Sequence, residues 1–393
     1  PQNAHYATAQ TETDETAAIL FTSGSTGVPK GAVYSHGNFS AQVELLRQIY
    51  DIRPGEIDLP TFPLFALFAP ALGMTSVVPE MDFTRPAAVD PAKIIAAIET
   101  FQVTTMFGSP ALINRVGRYG EAHGIKLPSL KRAISAGAPV PAPVLERFAG
   151  MLQGEAQIFT PYGATEALPV CSIGSDEILD ETRYATDQGR GVCVGRPVPG
   201  IELEIIKISD EPIEEWNDEL QLADGEIGEI VVKGPQVTGS YFNRAASTVL
   251  AKIADPVRGG FWHRMGDLGY RDEQGRIWFC GRKAHRVVTA EETLFTIPCE
   301  AIFNTHEEVF RTALVGVGTF GRQIPVLCVE LEKGVDTAAV QRIYSELLAI
   351  GAECELTRSI KRVLFHPAFP VDIRHNAKIF REQLADWAAE KIS

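Results

Sequence analysis

The 393-residue sequence lacks the features that mark several common protein classes. No apolar run reaches the roughly 18–20 residues that a membrane-spanning helix needs, since the longest candidate, 62–78, is interrupted by Pro63, Pro70 and Gly73. No secretion signal is expected. There is no basic excess: the formal net charge of −14 argues against nucleic acid as a main partner. The six cysteines form no C-x-x-C pair, so we expect reduced, mostly packed thiols in a cytoplasmic protein.

What is present is typical of a globular protein. Apolar residues make up 45% and charged residues 22% of the chain, which is enough apolar material for a sizeable core. The length predicts two or three compact units. The acidic balance does not exclude ATP, because a few local donors can hold a polyphosphate inside an acidic protein.

The first half of the chain alternates strand and helix patterns. A short strand at 17–21, predicted to be buried, leads into a Ser/Thr/Gly loop. Asp90 and Pro91 form an N-cap and first-turn pair for a helix, and a strand at 103–107 and a helix from Pro110 follow. This alternation predicts βαβ units and a mostly parallel sheet.

The pattern changes near residue 190. Period-two alternation punctuated by Gly and Pro predicts an antiparallel, barrel-like region, and a compact α+β unit follows Arg282. We therefore predict an α/β part of a large domain over 1–189, a β-rich part over 190–282 and a small α+β domain over 283–393.

The segment with the clearest chemistry is Phe-Thr-Ser-Gly-Ser-Thr-Gly-Val-Pro-Lys-Gly at 21–31. Glycines let backbone N–H groups turn toward an anion, hydroxyls add donors and the lysine adds a positive charge. It is not a Walker A loop, because Gly-Lys-Ser/Thr does not follow at the required spacing. A flexible surface turn is the alternative. The predicted phosphate-binding residues are Thr22, Ser23, Gly24, Ser25, Thr26, Gly27 and Lys30.

This loop resembles the phosphate loop of the acyl-adenylate-forming, AMP-binding superfamily, which includes acyl-CoA synthetases and peptide-synthetase adenylation domains. Taken singly, Tyr162 is more typical of a packed aromatic, Asp267 of a turn residue and Lys378 of a solvated charge. Their joint order over most of the chain favours the family. The further segments that resemble its motifs are 135–139, 162–166, 266–269, 281–282 and 376–381.

The resemblance implies an ATP-dependent ligase that uses Mg²⁺ to convert a carboxylate into an acyl-AMP. It implies that Tyr162 stacks on adenine, that Asp267 accepts hydrogen bonds from the ribose hydroxyls, and that Arg282 reaches the ribose at an interdomain hinge. The residues implied to contact the nucleoside are Gly137, Ala138, Pro139, Tyr162, Gly163, Asp267 and Arg282.

The catalytic residues implied by the resemblance are Thr165, Glu166 and Lys378. Thr165 would bond the α-phosphate, Glu166 would hold Mg²⁺ through a hard carboxylate oxygen, and Lys378 would bridge the acid and the α-phosphate. The small C-terminal domain would act as a mobile lid hinged to the large domain. The family's first subdomain is expected to be largely absent, because the phosphate loop begins at Thr22.

Several departures from the family resemble one branch, the β-lactone synthetases of bacterial olefin biosynthesis. The run 63–68 contains no histidine, Ala284 and His285 follow the hinge arginine, and the stretch to Pro298 lacks the glycine that lets pantetheine pass. The branch activates a 2-alkyl-3-hydroxy fatty acid, whose own hydroxyl then closes the lactone without CoA. The apolar run, including Leu64, Phe65, Leu67 and Phe68, would suit two alkyl chains, with plain core packing as the alternative.

Two other functions stay open at this point. A long-chain fatty acyl-CoA synthetase or acyl-AMP ligase would share every nucleotide residue, and an ATP-binding scaffold without activity is a third reading. The resemblance also implies an assembly with other hydrocarbon-pathway enzymes. A general base for cyclisation is not identifiable, although His285, His306 and His375 are candidates by their chemistry, each with a surface position as the alternative.

Overall fold

The computed structural model describes residues 9–22, 28–371 and 378–392. The strands in this part of the chain are β1 (Thr16–Phe21), β2 (Gly31–Ser35), β3 (Ile57–Pro60), β4 (Thr75–Ser76), β5 (Thr105–Phe107), β6 (Arg132–Ile134), β7 (Gln157–Phe159), β8 (Tyr162–Ala164), β9 (Ala167–Ser172), β10 (Val192–Pro197), β11 (Glu202–Ile206), β12 (Gly228–Lys233), β13 (Lys252–Ala254), β14 (Phe261–Arg271), β15 (Ile277–Arg282), β16 (Val287–Val288), β17 (Thr293–Leu294), β18 (Val309–Val317), β19 (Ile324–Leu331) and β20 (Arg362–Phe365).

The α-helices of the same residues are α1 (His36–Tyr50), α2 (Phe68–Ala71), α3 (Pro91–Phe101), α4 (Pro110–His123), α5 (Ala142–Ala149), α6 (Ser175–Glu177), α7 (Arg183–Ala185), α8 (Ala245–Ala251), α9 (Thr296–Phe303), α10 (Val340–Glu353) and α11 (Arg381–Ile392). None of these helices combines the length and apolarity needed to cross a membrane.

The predicted parallel sheet is confirmed. Its strands lie in the order β4-β3-β5-β6-β7, and every neighbouring pair is parallel. The helices begin where the sequence indicates: Asp90 accepts from the Ala92 N–H at 3.0 Å before α3, and Ser109 caps α4. Apolar side chains of α3, α4 and α5, such as Ile98 and Leu145, are fully buried against the sheet. The carboxyl ends of β5, β6 and β7 therefore form one edge that can present loops to a ligand.

The predicted antiparallel region is also confirmed. The strand order is β11-β12-β14-β15-β10-β9-β8, with β13 pairing to β14. Within the described residues this order does not close into a ring, because β11 and β8 lie at opposite edges. β8 and β9 follow directly on the parallel sheet, so the two sheets meet at the segment that contains Tyr162 and Glu166.

The C-terminal residues form the predicted α+β unit. β18 pairs antiparallel and β20 parallel with the central β19. Alternation along β18 places Leu314 with α9 and α10 on one face, and Ala313 and Val315 with α11 on the other. The exact boundaries between the three units stay a prediction.

One expectation about the first strand is wrong. β1 was predicted to be buried, but it pairs with β2 in a separate antiparallel hairpin, and Phe21 is 67% exposed. The apolar residues of β1 do form a strand, yet among the described strands β1 pairs only with β2. The cysteines behave as expected: all six are free, and only Cys354 is not buried.

Candidate nucleotide and acyl site

The base of the predicted phosphate loop is closed by hydrogen bonds between its two ends. The Thr22 N–H donates to the Lys30 carbonyl at 2.9 Å, and the Lys30 N–H donates to Thr22 Oγ1 at 3.1 Å. The other predicted loop residues, 23–27, lie outside the described residues. Lys30 Nζ lies 5.2 Å from the centre of the Tyr241 ring, within range of a cation–π interaction.

Tyr241 connects the loop to the predicted metal ligand. Its hydroxyl donates to Glu166 Oε1 at 2.5 Å, and the backbone N–H of Thr238 donates to the Glu166 carbonyl at 2.9 Å. On the other side of the same turn, the Tyr34 hydroxyl donates to the Thr165 carbonyl at 2.5 Å. Thr165 and Glu166 are therefore held by strands and loops that also frame the phosphate loop.

Tyr162, Asp267 and Arg282 form a second network. Asp267 and Arg282 are direct partners across β14 and β15, and their charged groups lie 2.9 Å apart. The Tyr162 hydroxyl donates to Asp267 Oδ2 at 2.6 Å from β8. Gly163 leaves no room for a side chain, because a Cβ there would lie 2.6 Å from the Ala167 carbonyl. The β8–β9 turn can thus be tight enough to bring Tyr162 to Asp267.

Burial controls the electrostatics of this network. It raises the pKa of the Asp267 carboxyl, while the Arg282 guanidinium and the Tyr162 hydroxyl act in the opposite direction. Burial and the neighbouring Asp267 charge raise the pKa of Tyr162 well above its ordinary value, so Tyr162 is a hydrogen-bond donor at neutral pH. The Arg282 contact is not aligned as a hydrogen bond, and Asp267 Oδ1 is a buried acceptor without a hydrogen-bond partner in the described residues. An acceptor in this state fits the predicted contact with a ribose hydroxyl.

The predicted adenine-side turn follows β6. Ser135 is fully buried, and its N–H donates to the Phe159 carbonyl at 2.9 Å, which ties this turn to the end of β7. Gly137 has a φ of 100°, a conformation that favours glycine. Ala138 is half-buried and Pro139 is exposed, so small side chains line an accessible edge beside the parallel sheet.

Glu166 could supply one carboxylate ligand to a Mg²⁺ ion, and the other ligands would have to come from other groups. Its Oε1 accepts from Tyr241, and in the described part of the chain Oε2 makes no hydrogen bond. The described residues contain one close cluster of three acidic or histidine groups, at His306, Glu308 and Glu346. Mg²⁺ usually combines one or two carboxylates with substrate phosphates and water, so a single carboxylate beside a phosphate loop fits this ion.

An apolar cleft adjoins the nucleotide side of the molecule. It encloses about 780 Å³ including its open mouth, and Phe65 and Phe68 of the predicted alkyl-binding run line it. Leu67 is 70% exposed and does not, which corrects that part of the expectation, and the side chain of Leu64 is not described. The full lining is Gln42, Leu46, Tyr50, Ile52, Asp58, Phe65, Phe68, Ala69, Leu72, Met74, Thr105, Phe107, Ile134, Ala136, Pro161, Leu168 and Pro169.

Lys378 belongs to the C-terminal unit. Three residues later, Arg381 holds Glu300 of α9 through contacts of 2.5 and 2.9 Å, and both side chains are largely buried. This bidentate pair anchors the segment to its own unit. Lys378 itself is half-buried. Its approach to the α-phosphate stays a prediction.

Two of the histidines considered as candidate bases, His285 and His306, have largely buried side chains. His285 Nε2 lies 3.2 Å from Glu382 Oε1, and burial lowers the pKa of His285 to about 4. His306 Nε2 lies 2.9 Å from Glu346 Oε2. Both side chains are only 10% exposed, so the alternative of a surface histidine is wrong for these two. His375 lies outside the described residues.

The sequence did not indicate a role for three residues near the site. Tyr34 and Tyr241 hold Thr165 and Glu166, as described above, and Lys252 donates to the Thr238 carbonyl beside them. Burial lowers the pKa of Lys252 to about 7, although the nearby Glu166 carboxylate opposes this. No motif marks these residues, and the contacts of Tyr34 and Tyr241 join segments far apart in the chain.

Comparison with known proteins agrees with this geometry. The model of the AMP-binding enzyme family matches residues 2–242, so the chain belongs to that family. The expectation of an adenylate-forming enzyme is thereby confirmed, as is the resemblance to the β-lactone branch. The chain is 55% identical over 386 residues to the olefin β-lactone synthetase of Xanthomonas campestris pv. campestris, covering 98% of this chain and 68% of that protein.

Two further comparisons support the family assignment and the fold, respectively. The olefin β-lactone synthetase of Stenotrophomonas maltophilia is 52% identical, covering 98% of this chain and 69% of that protein. The structure of ATP-bound MatB from Rhodopseudomonas palustris superposes with a TM-score of 0.74 at 23% identity, covering 99% of this chain and 71% of that one. The second likeness concerns the fold, which is that of adenylate-forming enzymes.

Proposed function

We propose that the protein activates a 2-alkyl-3-hydroxy fatty acid as an acyl-AMP and then closes it to a β-lactone, releasing pyrophosphate and AMP. The observation that carries the proposal is the apolar cleft, whose lining includes Ala136 and Pro161 beside the adenine-side turn and Tyr162. An acid bound there would place its carboxylate next to Thr165. The similarity to two proteins named olefin β-lactone synthetase supports formation of a β-lactone.

The proposed adenylation step depends on neutralising charge. A carboxylate and ATP carry the same sign, so attack at the α-phosphorus needs cations placed in advance. Lys30 and Lys378 would supply ammonium groups, and Arg282 with Asp267 would hold the ribose. A Mg²⁺ ion on Glu166 would neutralise the phosphates when bound.

The proposed second step needs no external acceptor. The substrate's 3-hydroxyl oxygen bonds to the acyl carbon, and the bond from that carbon to the AMP oxygen breaks. A cleft lined mainly by aliphatic and aromatic side chains would keep water away from the acyl-AMP, so that the internal hydroxyl attacks instead.

The test is to incubate the purified protein with ATP, Mg²⁺ and a 2-alkyl-3-hydroxy acid, and to analyse the products by mass spectrometry with and without CoA. We expect lactone and AMP in equal amounts, unaffected by CoA. Thioester formed only when CoA is added would contradict the proposal and favour the second candidate, a long-chain fatty acyl-CoA synthetase or acyl-AMP ligase.

The apolar lining is also compatible with that second candidate, because it suits any long-chain acid, and the use of CoA separates the two. The sequence-based expectations of a cytoplasmic location and of an assembly with other hydrocarbon-pathway enzymes remain predictions, and the fold does not address them.

A further inference from the structure

The acyl cleft contains a buried polar side chain in which one hydrogen-bonding atom has no partner among the described residues. Gln42 of α1 lines the cleft and is 4% exposed. Its Nε2 donates to the Leu168 carbonyl at 2.9 Å, whereas its Oε1 is buried without a hydrogen-bond partner in the described part of the chain. Leaving a buried acceptor unpaired is costly, so a site that keeps one calls for an explanation.

The orientation of this amide is determined by its surroundings. A carbonyl oxygen only accepts hydrogen bonds, so the group facing the Leu168 carbonyl must be the amide nitrogen. The amide oxygen is therefore the atom left over. An unpaired amide oxygen in a mainly apolar cleft would accept a hydrogen bond from a hydroxyl of a bound molecule.

The position of Gln42 places this acceptor near the reacting end of the cleft. Gln42, Leu46 and Tyr50 are spaced one helical turn apart and line the cleft along α1. The Gln42 end is bonded to Leu168, three residues after Thr165. Tyr34, on the strand preceding α1, holds the Thr165 carbonyl. Gln42 therefore belongs to the end of the cleft at the predicted α-phosphate turn.

A second buried polar group of the cleft, the Asp58 carboxyl, lies toward the other end. Asp58 is level with Thr105 in the parallel sheet, and Thr105 is level with Arg132. Arg132 in turn donates to the Asp51 carbonyl, just beyond the last turn of α1. These links place Asp58 toward the Tyr50 end of the cleft, and Tyr50 lies about two helical turns from Gln42 along α1.

We propose that Gln42 Oε1 accepts a hydrogen bond from the 3-hydroxyl of the substrate and so selects hydroxy acids over their deoxy counterparts. This inference rests on the proposed function. Gln42 is neutral, so it acts as a positioning residue and not as a base. It would hold the hydroxyl oxygen toward the acyl carbon. As the bond from that carbon to the AMP oxygen breaks, the hydroxyl proton passes to the departing AMP phosphate.

The experiment compares two acids of equal chain length, one with and one without the 3-hydroxyl, by the rate of ATP-dependent pyrophosphate release. We expect the wild-type protein to prefer the hydroxy acid in kcat/KM. Gln42→Leu should lower kcat/KM for the hydroxy acid roughly tenfold more than for the deoxy acid, because both lose the Nε2 donor to the Leu168 carbonyl but only the hydroxy acid loses its own acceptor. Gln42→Glu, which keeps an acceptor oxygen, should retain part of the preference.

The matched control is Gln48→Leu, which changes an exposed glutamine on the same helix and should leave both rates unchanged. Activity of Gln42→Leu on the deoxy acid shows that the variant is folded. An equal loss for both acids, or an unchanged ratio, would overturn the role of Gln42. Lactone formation by the wild-type protein is measured in parallel: its absence, with the preference still dependent on Gln42, would reject the cyclisation and keep the hydroxyl contact.

Discussion

The nucleotide side and the acyl cleft bury charged groups in opposite ways. On the nucleotide side, the buried Asp267 faces Arg282 across two strands and accepts from Tyr162. In the cleft, the buried Asp58 has no salt bridge among the described residues, and burial raises its pKa to about 7. A region built to hold a polar ligand supplies its charges with partners in advance, whereas a region built for alkyl chains tolerates few charges.

The same contrast appears within three consecutive residues of the chain. Glu56 and Asp58 are two residues apart and both are buried. Arg132 and Lys131 pair with Glu56 and lower its pKa against the effect of burial, while Asp58 lacks such partners. The four predictions below test whether these differences in pairing control stability and activity.

The largest effect is expected from Glu56→Gln. Both Glu56 and Arg132 have side chains less than 10% exposed, so removing the carboxylate leaves a buried guanidinium without its counter-charge. The free energy of unfolding should fall by about 3 kcal/mol or more in urea denaturation. The control Glu80→Gln removes an exposed pair with Lys93 and should leave the stability almost unchanged. Equal effects of the two variants would refute the argument.

Lys378→Ala should lower the rate of adenylation about 100- to 1000-fold, since it removes a charge proposed to act on the α-phosphate. ATP–pyrophosphate exchange in the presence of the acid measures this step. Lys391→Ala, at an exposed position near the end of α11, is the control and should exchange normally. Full activity of Lys378→Ala would remove this residue from the mechanism.

Asp58→Asn should change the pH dependence of stability. The folded pKa of Asp58, about 7, lies above its ordinary value of 3.8, so the folded state binds the proton more tightly. The corresponding stabilisation is complete below pH 4 and is lost as the pH rises through 7. The variant should therefore gain about 2 kcal/mol on the wild-type protein between pH 5 and pH 8.

Thermal unfolding of both proteins across this pH range measures the difference. Asp51→Asn, which changes a carboxylate whose side chain is 77% exposed, should track the wild-type protein at every pH. A constant difference between Asp58→Asn and the wild-type protein would show that Asp58 does not titrate in this window.

The smallest effect is expected from Tyr162→Phe. The ring remains, but the 2.6 Å hydrogen bond to Asp267 is lost. The KM for ATP should rise up to about tenfold, corresponding to roughly 1.4 kcal/mol, with kcat little changed. Tyr184→Phe, at an exposed tyrosine, is the control. A fall in kcat alone would point to a different role for this hydroxyl.

Much of the fold could be predicted from local signals. The cap Asp90, the helix start at Pro110 and the period-two alternation in β11 and β12 mark elements that the structure contains. The exposure of Phe21 could not be predicted in this way, because an apolar strand looks alike whether or not another layer covers it.

Some of the site residues could likewise be predicted from the sequence, and others could not. Resemblance to the family named Tyr162, Glu166, Asp267 and Arg282, and the structure brings Tyr162 to Asp267 and Arg282. The roles of Tyr241 and Gln42 could not be predicted from the sequence. Tyr241 bonds to Glu166, 75 positions away, and Gln42 bonds to Leu168, more than 100 positions away, and hydrogen bonds over such separations leave no local sequence pattern.

The sequence by itself determined the order of elements and the family, because caps, periodicity and short motifs act over a few residues. Only the tertiary structure decided which buried polar groups have partners. In the sequence, Glu56, Asp58 and Gln42 are all polar residues near apolar ones. In the structure, Glu56 pairs with Arg132, burial raises the pKa of Asp58, and Gln42 Oε1 has no hydrogen-bond partner among the described residues. Pairing depends on distances between distant segments, and the free energy of a buried polar group depends on its partners more than on its type.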